Sequence, residues 1–98
     1  MTYQVNDLIR DIDSIIPEVE KELLNRKNGI EGDGSVQQLE LIKKELEQIK
    51  SYALTNNLPS KEKRFTSFSR YVIDEWSYNS TLGQRLCELA DKYKRKLQ

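Results

Sequence analysis

The sequence has no histidine, one cysteine, two prolines and no apolar run approaching the roughly 20 residues that a membrane-spanning helix requires. Without histidine there is no Ser–His or Cys–His nucleophile and no histidine-containing zinc site. A lone Cys87 makes neither a disulfide within the chain nor a multi-thiolate metal site. Cysteine poverty fits a reducing compartment, and the first residues lack the basic-then-apolar build of a secretory signal, so a cytoplasmic location is expected. Arg85 and Lys92 are not close to Cys87 in helical spacing, so this thiol reads as a small, half-buried helix residue, not a reactive one. Neither phosphate-cradling glycine pattern, Gly-x-x-x-x-Gly-Lys or Gly-x-Gly-x-x-Gly, is present. These absences point away from an enzyme, and no cofactor or metal is expected.

Apolar residues make up 37% of the 98 and charged residues 33%, which suits one folded domain over residues 1–98 with one modest core. Acids and bases cancel at 16 each, but they are not evenly spread. Residues 1–49 carry 11 acids against 6 bases, and residues 50–98 carry 5 acids against 10 bases. A chain with this charge asymmetry can use either half to meet an oppositely charged partner.

Apolar spacing is helical throughout. Leu8, Ile9, Ile12, Ile15, Ile16, Val19 and Leu23 recur at steps of three and four, predicting a helix from about Asn6, as N-cap, to Lys27. Pro17 interrupts it, either kinking the helix near Asp13 or opening a second one. Residues 28–34 hold three of the four glycines and read as a flexible loop. Ser35 and Gln38 have capping-box spacing ahead of a helix whose seam is Leu39, Ile42, Leu46, Ile49 and Ala53, ending in a turn over 56–60. Ser60 is placed to cap a third helix running through Trp76, with Phe65, Phe68, Val72 and Trp76 on its apolar stripe. Thr81 and Gln84 have capping-box spacing ahead of a last helix with Leu82, Leu86, Leu89, Tyr93 and Leu97 inward. No segment alternates like a strand. The expected fold is an all-α bundle of four helices, five if Pro17 breaks the first, with short loops and antiparallel neighbours.

Residues 33–40 match the second half of an EF-hand calcium loop, but that register puts Gly29 at the first ligand position, where no side chain is available; a turn before a capped helix is the expected reading. The acidic residues of the first helix, Asp7, Asp11, Asp13, Glu18 and Glu22, read either as a solvated face or as a docking patch for a basic partner. Tyr71 and Tyr78 are the aromatics expected at the rim of an interface. The opposite half offers Lys61, Lys63, Arg64 and the Lys92–Lys96 turns, which would suit nucleic acid only if brought onto one surface with aromatics or amides able to meet bases.

The segment from Arg70 to Trp76 (Arg-Tyr-Val-Ile-Asp-Glu-Trp), then a short polar link, then Leu82 to Tyr93 (Leu-Gly-Gln-Arg-Leu-Cys-Glu-Leu-Ala-Asp-Lys-Tyr) resembles the ending of small helical bacterial proteins, among them immunity proteins encoded beside contact-dependent or polymorphic toxins. The resemblance covers a quarter to a third of the chain. It implies a cytoplasmic inhibitor that binds a toxin nuclease domain and blocks its active site, and it carries over no particular binding residue. Such nucleases are commonly basic, which makes the acidic first helix the expected contact surface. The alternative expectation is a small nucleic-acid-binding or regulatory domain using the basic half.

Overall fold

The computed structural model describes residues 2–97. Four α-helices follow one another: α1 (Val5–Lys27), α2 (Val36–Leu54), α3 (Phe68–Glu75) and α4 (Thr81–Asp91). A 3-10 turn, Lys61–Lys63, lies between α2 and α3, and α4 runs on into a π-helical turn, Lys92–Lys96. There is no named strand among the described residues; the one β-type contact is a single parallel bridge between Tyr3 and Leu97. The bundle is elongated, 40 × 23 × 23 Å.

The apolar stripes read from the sequence close into one core. Leu8, Ile12, Ile15, Val19 and Leu23 from α1 meet Leu39, Ile42, Leu46, Ile49 and Ala53 from α2. Phe68, Val72 and Trp76 close the core from the third segment, and Leu82, Leu86, Leu89, Tyr93 and Leu97 from the last. Burying a Leu, Ile, Val or Phe side chain is worth roughly 1.5–3 kcal/mol, so these stripes supply the driving force of folding. α1 packs against both α2 and α4, and both neighbours run antiparallel to it. Going up α1, Asp13, Glu20 and Lys27 pair with Lys50, Lys43 and Glu40, in descending order along α2. Asp11 and Glu18 meet Lys92 and Arg85 of the last segment in the same reversed order.

Pro17 does not divide the first helix. α1 is continuous over 23 residues with Pro17 on its exposed face, so the count is four and the five-helix alternative falls. The donor that Pro17 lacks would have bonded the carbonyl of exposed Asp13, where water can replace it. The helix also begins before Asn6. Gln4 is the N-cap residue, and the Asp7 carboxylate reaches back to accept from its amide at 3.0 Å. Asp7 is thus one of the helix's own caps. At the far end Gly29, with φ of 80°, takes the left-handed position that terminates α1.

The predicted third helix is the main departure. Ser60 caps only the short 3-10 turn, and α3 does not start until Phe68. Its first amides are met by a side chain from another helix. Glu45 of α2 accepts from the Ser67 and Phe68 amides and from the Ser67 hydroxyl, at 3.0, 3.4 and 2.7 Å. A carboxylate at a helix N-terminus also opposes the helix dipole favourably. Because Phe65 precedes this start, it is off the apolar stripe and 75% exposed, whereas Phe68 is fully buried. For α4 the cap is Ser80, whose hydroxyl accepts from the Gly83 amide at 3.0 Å, in place of the expected Thr81. Gln84 instead donates to the Tyr78 carbonyl at 2.8 Å, bracing the α3–α4 link. The Ser35–Gln38 capping box forms as expected.

The two phenylalanines make a paired test. Phe68→Ala is expected to lower unfolding stability by about 3–5 kcal/mol in a urea titration, and Phe65→Ala to change it by less than about 0.5 kcal/mol.

Candidate functional site

The carboxylates of α1 are not left facing solvent alone. Asp13 pairs with Lys50, Glu20 with Lys43 at 3.0 Å, Glu22 with Arg26 at 2.7 Å, and Glu18 with Arg85. Asp11 accepts from the Tyr3 hydroxyl at 2.7 Å and lies 3.9 Å from Lys92, and Asp7 has Arg10 at 3.5 Å. Each exposed pair adds little to stability, since the median surface ion pair is worth about 0–1 kcal/mol. Their effect is on the field: charge segregated along the sequence is mixed in space, and most of the negative potential of α1 is cancelled within the fold.

Among the residues expected to bind a partner, Glu18 and Glu22 line one hollow, and Tyr78 lies in the α3–α4 link whose Ser80 also lines it. That hollow, of about 380 Å³, is lined by Glu18, Glu22, Asp33, Ser80 and Leu82, with Lys21 at its side. Asp33 accepts from the Ser77 amide at 3.0 Å, which ties this wall to the start of the α3–α4 link. Tyr78 sits in that link, 94% exposed. Beyond it lies an apolar groove of about 170 Å³ between α3 and α4, formed by Val72, Ile73, Trp76, Tyr78, Gly83 and Cys87. Ile73 is 66% exposed at its edge, and beside it the exposed Asp74 has no cationic partner among the described residues. Burial pushes the Cys87 thiol up from its ordinary range.

Asp7, Asp11 and Asp13 lie elsewhere. At 1.5 Å per residue, Asp7 is about 22 Å up α1 from Glu22. Tyr71 is half-buried against α2, where its hydroxyl donates to the Gln38 carbonyl at 3.3 Å, so it braces the fold and is not part of the groove. Burial, with the Glu45 charge adding to it, pushes its phenol up to about 12. The Tyr3 phenol is raised further, first by burial and then by its bond to Asp11, and Tyr93 is also raised by burial.

The residue that organises this end is Arg26. Its side chain is 8% exposed. Besides Glu22, it donates to the carbonyls of Asp33, Gly34 and Ile30 at 2.7, 3.0 and 3.3 Å. The loop expected to be flexible is therefore wrapped around a guanidinium. A Cβ on Gly32 would run into the Arg26 guanidinium, and one on Gly34 would stand 2.6 Å from the Trp76 ring, so both positions suit glycine by close approach. No group of three or more metal-ligating side chains occurs among the described residues. Trp76 is seated between Gly34 and Gly83, and its indole N–H donates to the Gln38 side chain at 3.3 Å. Nothing in the spacing of the sequence singles out Arg26; the signal available was a glycine-rich loop close behind a helix-end arginine.

No helix of the described residues is long and apolar enough to cross a membrane. No family model, curated protein or solved structure matches the chain.

Arg26→Ala would leave Glu22 and three loop carbonyls unpaired, and an expected loss of about 3 kcal/mol should appear in chemical denaturation, with Arg26→Lys recovering only part. The phenol shifts give a second expectation. A group whose folded pKa is raised contributes stability that is intact below its unfolded value of 10.0 and is lost as pH rises past it. Denaturation midpoints should therefore fall between pH 10 and 12, while absorbance at 295 nm shows tyrosinate forming incompletely until the protein unfolds.

Proposed function

We propose that this protein acts by binding another protein at the α3–α4 end of the bundle, as an inhibitor of the immunity type, and that its partner presents an apolar projection within a basic surface. The observation that carries this reading is the position of Tyr78. It stands almost wholly exposed on an apolar groove, two residues before Ser80, which lines the hollow that also holds Glu18, Glu22 and Asp33. Tyrosine at such a junction offers a large amphipathic contact at small entropic cost, and aromatic anchors of this kind dominate interface energetics. Ile73 supplies a second apolar contact, and the unpaired Asp74 beside it gives the rim a negative charge. A basic toxin nuclease domain, whose surface is built to meet phosphates, has the matching chemistry.

Compared with the acidic face expected from sequence, contact through Tyr78, Ile73 and Asp74 needs no ion pair of the fold to break. Contact through Asp11 or Asp13 would compete with Lys92 and Lys50 for the same carboxylates. Tyr78, Ile73 and Asp74 are outside that competition, whereas Glu18 and Glu22 are held by Arg85 and Arg26.

The test is calorimetry against the purified product of the neighbouring gene, inactivated if toxic. Tyr78→Ala and Ile73→Asp are expected to weaken the complex by at least about 30-fold each, the size of an interface hot spot. Asp74→Lys should slow association at low salt, and Asp7→Asn should leave affinity within about twofold. Wild-type affinity in the Tyr78 and Ile73 variants, or loss of binding on changing Asp7 alone, would move the contact back to the N-terminal half of α1.

A further inference from the structure

The opposite end of the bundle has its own chemistry. The Lys61–Lys63 turn packs against the Lys92–Lys96 turn, bringing together two basic segments about thirty residues apart in sequence. Arg64 fastens them. It donates to the Pro59 carbonyl at 2.9 Å and the Leu97 carbonyl at 3.2 Å, and its guanidinium lies 6.0 Å from the centre of the Tyr93 ring. Arg64 is thereby structural, but Lys61, Lys63 and Lys94 are exposed and have no acidic partner among the described residues. Glu62 is the one acid within the turn.

Next to the lysines runs a groove of about 480 Å³ whose wall includes Gln48, Tyr52, Asn57, Lys63 and Phe65. Glu45 also reaches it, but that carboxylate is committed to the first amides of α3. Phe65 is 75% exposed, an aromatic face that the core does not use. An accessible ring, two carboxamides and flanking ammonium groups are the parts that hold an unpaired nucleotide: a base stacks on the ring, amides meet its edge, and lysines take the adjacent phosphates.

We propose that this basic end, where Lys63 lines the Phe65 groove and Lys61 and Lys94 belong to the two packed turns, binds single-stranded nucleic acid, with one base stacked on Phe65. A duplex fits less well, since its bases are already stacked on one another and are not free to lie on the Phe65 ring. This surface lies away from Tyr78, so its occupancy is independent of the protein-binding reading above.

The experiment is fluorescence anisotropy with labelled 12-nucleotide single strands of DNA and RNA. Saturable binding is expected at 50 mM KCl. With three phosphates neutralised, affinity should fall about 20-fold on going to 200 mM. Phe65→Leu should weaken binding roughly tenfold or more, with Phe65→Trp close to wild type. Both variants keep the fold because the ring is outside the core. Lys63→Ala should lower the log–log salt slope by about 0.7. Four outcomes would overturn the proposal: no anisotropy change at 50 mM KCl, equal affinity for Phe65→Leu and wild type, equal competition by heparin or by duplex DNA, or binding to phosphatidylglycerol vesicles with none to the strands.

Discussion

Helix α1 has one apolar stripe, and that stripe must be covered from two sides at once. Leu8, Ile12, Ile15, Val19 and Leu23 are all in the core, facing α2 on one flank and α4 on the other. Its carboxylates sit at the edges of the stripe, where they meet the cations of those same neighbours. Hydrophobic burial provides the free energy, and the ion pairs, individually weak, agree on a single antiparallel register. The register in turn decides what the ends look like. It puts the Arg26-bound loop beside the α3–α4 link at one end, and the two lysine-rich turns beside each other at the other.

The dipolar charge of the sequence has therefore been partly used up by folding. Asp13–Lys50, Glu18–Arg85 and Asp11–Lys92 join the acidic first half to the basic second half, and the charge outside such pairs is local. At one end that remainder is Tyr78 and Ile73 with Asp74, next to Glu18, Glu22 and Asp33. At the other it is Lys61, Lys63 and Lys94 with Phe65. Each pairs an exposed aromatic with charge of one sign. On the readings proposed above, these two differentiated ends are the parts of the bundle that meet partners.

Apolar periodicity was legible because it is local: every stripe residue of α1, α2 and α4 named from spacing as the core seam is buried or packed against the core, as a 3.6-residue repeat requires. What failed was decided by contacts distant in sequence. Phe65 fits the stripe of a helix that would begin at Ser60, but the helix waits for Glu45, twenty-two residues earlier, to supply its cap. Asn6, Ser60 and Thr81 are good capping residues by type, yet Gln4 and Ser80 hold the actual positions for α1 and α4, one or two residues before the expected caps. Boundaries are the least local feature of a helix, since they depend on where the chain arrives from. For the candidate site, Tyr78 is where a rim aromatic was expected, whereas Tyr71 is spent on Gln38. The acids of α1 were visible as a cluster, but their partners Lys43, Lys50, Arg85 and Lys92 were not assignable before the helices were placed.

Native-state amide hydrogen exchange addresses the role of α1 directly. If α1 is the element on which both neighbours depend, the amides from Ile12 to Val19, Pro17 aside, should exchange only by global unfolding, together with those of Ile42 to Ile49 and Leu86 to Leu89. Residues 57–66 and the α3–α4 link should open at much lower free energy. Exchange of the central α1 amides through local opening, while α2 and α4 stay protected, would contradict the dependence of the bundle on that shared stripe.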